Sequence, residues 1–379
     1  MTTNLTNSTN KVPNVPPLRF PEFSGEYEKH SLGEMGNGLI GLTYSPKDVV
    51  NNNGTIVFRS SNVQNGVIDY SDLVRVDMTI RDNLITRKDD LLICARNGSP
   101  RLIGKNTLLK EKDAGQTFGA FMLVYRSQDN PYIHKLLNTK RYMSQVGENL
   151  GARINQITSA NFSDFEFYFP QTKAERTKVA RFLDLIDQRI ETQNKIIQHL
   201  ESLIKGISKM LLTKQGNTFI KDCLVCNSST LQESSVLPCG KYPVYGATGI
   251  SGYLDVPQVE HDAILIIKDG AGVGNVRYAT DKHGVIGTLN YLSAKNGYNL
   301  KYLYYCLRIF NFTPFVTGLA IPHIYFRDYG NAKIYCPSLI EQKHIANNLS
   351  NIERKIEVEK QILEKFKEQK KYLLSQMFI

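Results

Sequence analysis

Two stretches of this chain carry the same long heptad pattern, and no isolated helix can hide an apolar stripe of that length. One follows Pro170 and reads AERTKVARFLDLIDQRIETQNKIIQHLESLIKGISKMLL. The other follows Pro337 and reads EQKHIANNLSNIERKIEVEKQILEKFKEQKKYLLSQMF. They align at a constant offset of 166, with Glu175 on Glu341, Ala180 on Ala346, Ile186 on Ile352 and Ile190 on Ile356. In the first, steps of three and four residues link Val179, Leu183, Ile186, Ile190, Gln193, Ile197, Leu200, Ile204, Ile207 and Leu211. In the second they link Ile345, Leu349, Ile352, Ile356, Glu359, Leu363, Phe366, Lys370, Leu373 and Met377. Such a seam is that of a coiled coil, and at 1.5 Å per residue each helix is roughly 50 Å long. Because the seams have equal length, the simplest solution packs them on each other within one chain. Separate core helices or a coil between copies are the alternatives. A duplicated chain has a pseudo-twofold axis, which makes the pair antiparallel. Counting layers from opposite ends sets Gln193 opposite Leu363 and Glu359 opposite Ile197, near the middle. Both seams break at this one layer, either to fix register or as drift at a wet position.

The segments ahead of the helices match as well, which makes this a duplication of whole domains. KDDLLICARNGSPRLIG (88–104) parallels EHDAILIIKDGAGVG (260–274), pairing Asp90 with Asp262 and Gly98 with Gly270 around a short apolar strand. Ile154 and Ile157 match Ile321 and Ile324, and FEFYF (165–169) and AKIYC (332–336) read as final strands. Residues 131–145 and 299–310 read as helices in equivalent places. The fold class is therefore α+β, a mixed α/β globule before each long helix. The boundaries are a disordered tail over 1–16, a first globule over 17–170, a helix over 171–213, a second globule over 214–337 and a helix over 338–379.

Lys and Arg number 46 against 36 Asp and Glu, a net charge of +10, which favours a polyanionic partner such as nucleic acid. A 41% hydrophobic content excludes wholesale disorder. The longest apolar stretch, Phe118 to Tyr125, is far short of a membrane span, and the first residues lack the order of a signal peptide. Six cysteines make no disulfide framework, so the expected compartment is the cytoplasm, with no membrane partner.

Tempting catalytic motifs fail on spacing. GSPRLIGK (98–105) has one residue too many for a phosphate-binding loop, and Asn106 stands where the magnesium hydroxyl belongs. Gly270, Gly272 and Gly274 have the wrong spacing for a dinucleotide fold and precede NVRYA, a strand; they suit a tight strand-to-strand turn. Cys223 and Cys226 lack a second ligand pair for zinc and read as buried thiols. No catalytic residue and no metal site is expected.

A binding surface remains. The candidates are Arg96, Asn97, Arg101, Lys105 and Asn106 in the first globule, and Lys268, Asp269, Asn275 and Arg277 in the second. Later loops add Arg153, His323, Tyr325 and Arg327. Arg can read guanine and Asn adenine through paired hydrogen bonds. Tyr245 sits in YPVYGATGISGY (242–253), where tyrosines and glycines fit either an aromatic platform or a core hairpin.

With these features in place, the chain resembles the specificity subunit of Type I restriction–modification systems. Three elements carry the resemblance: the globule–helix–globule–helix plan, YPVYGATGISGYLD (242–255), and the Pro337, Glu341, Gln342, Ile345, Ala346 opening of the second helix. The first helix departs slightly, with Arg176 in place of Gln342. The resemblance implies two target-recognition domains, each reading half of a bipartite double-stranded DNA site. It implies helices that set the spacer and dock two modification (methyltransferase) subunits, with restriction (motor-nuclease) subunits added for cleavage. S-adenosylmethionine, ATP and Mg2+ then belong to the partners, and this chain is a non-catalytic recognition subunit. The other reading is a coiled-coil adaptor whose globules bind a partner other than DNA.

Overall fold

In the computed structural model, which describes residues 13–150 and 155–379, the duplication is visible strand by strand. The chain divides into a first unit, running to Thr192 and including Leu363–Ile379, and a second, Gln193–Ile362. In the first, β1 (Asn37–Ile40), β2 (Leu91–Cys94), β3 (Asn106–Leu108) and β4 (Met122–Arg126) form an antiparallel sheet in the order β1-β4-β2-β3. In the second, β5 (Leu224–Ser228), β6 (Ala263–Ile267), β7 (Val276–Ala279) and β8 (Leu289–Ala294) repeat it as β5-β8-β6-β7. A further sheet repeats too: Thr117–Phe118 lies parallel to Thr55–Phe58 in one unit, and Gly284–Val285 parallel to Tyr242–Tyr245 in the other.

The runs LLIC and AILII are apolar throughout because β2 and β6 are buried on both faces. Leu91 and Ile93 face a core containing Tyr132, Ile133 and Tyr142, while Leu92 and Cys94 face one with Phe58 and Phe118. Likewise Ile264 and Ile266 pack with Tyr302 and Leu303, while Leu265 and Ile267 pack with Val285. The helix over these residues in the second unit is Leu300–Ile309, close to expectation. The single helix expected over 131–145 is instead two, Asn130–Leu136 and Lys140–Asn149. The break falls at Thr139, whose hydroxyl accepts the Tyr142 N–H and caps the second piece. The final strands, Glu166–Phe169 and Lys333–Ile334, pair antiparallel with Glu28–Ser31 and Thr218–Phe219.

The long helices are α1 (Lys173–Leu212) and α2 (Leu339–Gln376). In the first unit Val179, Leu183 and Ile186 of α1 share a core with Leu373 and Met377 of α2. In the second, Ile204 of α1 packs with Ile345, Leu349 and Ile356. Early residues of one helix thus meet late residues of the other, and the pair is antiparallel. The polar layer corrects the layer count: Gln193 faces Glu359 itself, donating its amide to the Glu359 carbonyl at 3.0 Å and to its carboxylate. Lys355 pairs with that carboxylate at 2.5 Å. Bonds from Lys355 and Gln193 hold the Glu359 carboxyl below its ordinary range. Each break in the seam therefore supplies the other's partner, which apolar neighbours could not do.

The departure at the helix openings is also resolved. Arg176 Nη1 donates to the Pro170 carbonyl at 2.7 Å, and Gln342 Nε2 donates to that of Pro337 at 2.8 Å. Arg176 also pairs with Asp129 at 3.1 Å, and the Gln342 oxygen accepts the Asn299 N–H at 2.9 Å. Asp129 and Asn299 each precede a core helix, so a guanidinium and an amide make the same tie. Among the described residues no helix is long and apolar enough to cross a membrane.

Candidate nucleic-acid interface

Where β2 ends, its chain crosses two other segments. The N–H groups of Ala95 and Arg96 both donate to the Phe121 carbonyl, at 3.0 and 2.9 Å. Ile157 N–H donates to the Ala95 carbonyl at 2.8 Å, and Arg96 lies across an antiparallel bridge from Gln156. The end of β6 repeats the crossing. Lys268 and Asp269 N–H donate to the Thr288 carbonyl at 3.0 and 3.4 Å, Ile324 N–H to the Lys268 carbonyl at 2.9 Å, and Asp269 bridges His323. One backbone junction is therefore built twice and dressed with different side chains.

The bonds also correct the sequence pairing. Ala95 corresponds to Lys268 and Arg96 to Asp269, so Asp90 with Asp262 and Gly98 with Gly270 are each one residue out of register. The acids differ in partners accordingly. Asp90 holds Arg126 through two 2.9 Å contacts, whereas Asp262 accepts from the Tyr278 hydroxyl and the Asp281 N–H, both at 2.9 Å.

Around the first junction, the exposed Arg96 guanidinium lies 5.2 Å from the ring centre of Phe121, itself 57% exposed. Arg101 is exposed on the short turn Pro100–Leu102, and Lys105 reaches the Gln64 side chain at 3.4 Å. Asn97 and Asn106 hold the fold instead. Asn97 donates to Ser60 at 2.9 Å and accepts the Ser99 N–H at 3.0 Å, while Asn106 donates to the Gly104 and Leu137 carbonyls. Arg153 lies outside the described residues, as do residues 1–12 of the expected tail.

Around the second junction, Lys268 pairs with Asp269 at 2.8 Å. The His323 ring meets Tyr325 edge-on at 5.0 Å, and the Arg327 guanidinium lies 4.7 Å from the Tyr325 ring centre. Tyr325 is 44% exposed and the Arg327 side chain 79%, so the pair stands open to solvent. Gly270 N–H donates to Pro322 at 2.9 Å, so the glycine turn leading to the exposed Asn275 is tied to the same loop. Gly270 and Gly274 have φ of +93° and +84°, which explains glycine in this strand-to-strand turn. Tyr245 and Arg277 act inside the fold. Tyr245 packs on the buried His283, and Arg277 donates to the Gly246 and Ala247 carbonyls, bracing the hairpin of Tyr242–Tyr245 and Ile250–Leu254.

Sequence reasoning misses Phe121 and Gln156. Phe121 hides in the apolar stretch that supplies β4, and Gln156 has no signal apart from its bridge to Arg96. Cys223 is buried as expected, whereas Cys226 is only half-buried. Cys223 lies 3.7 Å from the buried Cys336, and burial pushes the Cys226 thiol up to about 11. Among the described residues no three potential ligand side chains form a metal-holding group.

Comparison with known proteins places this geometry. Residues 24–202 and 219–368 match the family model of the Type I restriction modification DNA specificity domain. The specificity subunits of the Type I restriction enzymes StySPI of Salmonella potsdam and EcoKI of Escherichia coli K12 are each 24% identical over 182 residues. Those matches cover 46% of this chain and 39% of each relative, so the chain spans about two fifths of the length of these curated relatives. The crystal structure of a Type I restriction–modification S subunit from M. genitalium superposes with a TM-score of 0.67 at 18% identity, covering 96% of this chain and 99% of that one. That likeness establishes a shared fold.

Proposed function

The chain belongs to the Type I restriction modification DNA specificity family, and on that premise we propose that it is the DNA-recognition subunit of a modification and restriction complex. Each unit reads one half of a bipartite double-stranded DNA target, and the chain itself performs no chemistry. The observation that carries this reading is the repeated junction. A conserved backbone with changed side chains is what two readers of different half-sites require. The exposed Arg96 and Arg101 with the half-buried Lys105 in one unit, and the exposed Tyr325 and Arg327 with the half-buried Lys268 and His323 in the other, supply phosphate and base contacts.

The partners are two modification subunits and, for cleavage, restriction subunits, in the cytoplasm. These partners bring S-adenosylmethionine, ATP and Mg2+. The outer face of α1 supports docking of a helical partner. Ile196, Leu203 and Met210 are exposed apolar residues seven apart, with His199 and Gly206 between them, a second seam beside the one facing α2. The helices set the spacer between half-sites.

Co-expression with a modification subunit tests the proposal. The expected result is a stable complex that methylates adenines at one bipartite sequence. Its DNA affinity should fall with salt at a slope of about −0.9 per phosphate neutralised. A chain that binds no modification subunit and leaves DNA unmethylated defeats the reading.

A further inference from the structure

We propose that the two residues facing each other across each junction, Arg96 with Gln156 and Asp269 with His323, are the specificity-determining pair of their unit, with Arg96 reading a guanine and Asp269 a cytosine. The inference rests on the DNA-recognition reading above and deepens it to named residues. Three observations support it. First, Arg96 and Asp269 hold one backbone position, defined in both units by the same two amides on one carbonyl and the same bridge. Residues across an antiparallel bridge lie side by side on one face, so each pair presents a compact patch. Second, the shared position carries opposite charge in the two units. A phosphate-binding role would demand a cation in both, whereas a carboxylate beside DNA is repelled unless a donor receives it. In the major groove the cytosine N4 amino group is such a donor, and Arg forms paired bonds to guanine O6 and N7. Third, each charged group is braced beside an exposed face. Phe121 lies under the Arg96 guanidinium, and Lys268 holds Asp269 at 2.8 Å and screens it from nearby phosphates.

Adenine methylation mapped across the host genome, with the full chain and its modification subunit co-expressed, reads the outcome directly. Arg96→Gln should relax one G·C position in one half-site, shifting it towards A·T, and leave the other half-site intact. Asp269→Asn should do the same in the opposite half-site, because an amide offers the acceptor and donor that adenine matches. The expected loss of discrimination is roughly 10- to 100-fold at the affected position. Arg96→Gln also separates base reading from phosphate binding. It removes the charge, so weaker binding with an unchanged target would show a phosphate contact and overturn the assignment of Arg96. Asp269→Asn is isosteric, and thermal melting with co-purification checks that every variant still folds and assembles. An unaltered recognition sequence in both single variants, or changes scattered over both halves, overturns the pairing while leaving the DNA-recognition reading intact. If wild-type complex methylates no defined sequence, the broader reading fails instead.

Discussion

At the scale of single residues, several charged side chains, buried or half-buried, decide stability without touching the interface. Asp90 is almost wholly buried and grips Arg126 in a two-pronged pair, so Asp90→Ala leaves that guanidinium only the Asn83 and Ile85 carbonyls and no counter-charge, and should cost about 3 kcal/mol. Asp262 bonds only neutral donors, and Asp262→Ala should cost about 1–2 kcal/mol. Hydrogen exchange on β2 and β6 amides compares the two directly. Asp187 offers a pH test. Burial works against its ionisation, but Lys135 and Lys370, at 2.9 and 2.6 Å, outweigh that and hold its carboxyl below the ordinary range. A lowered folded-state pKa gives stability that is present above the unfolded value and lost as pH falls through the folded one. Asp187→Asn should therefore lower the melting temperature at pH 7, and the gap from wild type should close towards pH 3. At the interface, Arg327→Ala should weaken DNA binding more than a surface Lys→Ala change in either long helix. Equal effects in filter binding would argue against placing Arg327 on the DNA face.

At the scale of elements, the helix pair is governed by its seam and by one polar layer. Gln193→Leu leaves the Glu359 carboxylate with Lys355 as its remaining partner and should lower the melting temperature. The double change Gln193→Leu with Glu359→Leu completes the apolar seam and should recover that loss. A double-mutant cycle by thermal unfolding measures the coupling, and additive costs would mean that the two side chains do not support each other. The outer seam of α1 should behave differently. Leu203→Asp should leave the melting temperature nearly unchanged and reduce co-purification of the modification subunit, because Leu203 is already exposed. The elements themselves were largely legible: the heptads predicted both helices, and the final strands fell where their apolar runs lie. The broken helix at Thr139 was not, since its residues are helix-compatible and only the cap reveals the break.

At the scale of the whole molecule, the proposed function makes the helices a measuring device. Four residues inserted into each helix, after Gln193 and Glu359, add roughly 6 Å of helix and nearly preserve the seam. With ~3.4 Å per base pair, the unread spacer should lengthen by about one or two base pairs while both half-sites keep their bases. Methylation mapping of the insertion variant gives the answer. An unchanged spacer would show that the helices do not set it.

Sequence alone determined the duplication, the α+β class and the two long helices, because each is written in local periodicity or in self-similarity at a constant offset. It also named most groups that surround the junctions, though not which of them are free to face a ligand. Asn97, Asn106 and Arg277 are spent on carbonyls and side chains of their own fold. Only the tertiary structure decided the register between the two copies, and with it the equivalence of Arg96 and Asp269. The reason lies in β2 and β6. A strand with one wet face alternates, and a one-residue slip would turn its apolar side outward. These strands are buried on both faces, so LLIC and AILII read alike in either register. The hydrogen-bond ladder to β4 and β8, formed by residues distant in the chain, makes the choice.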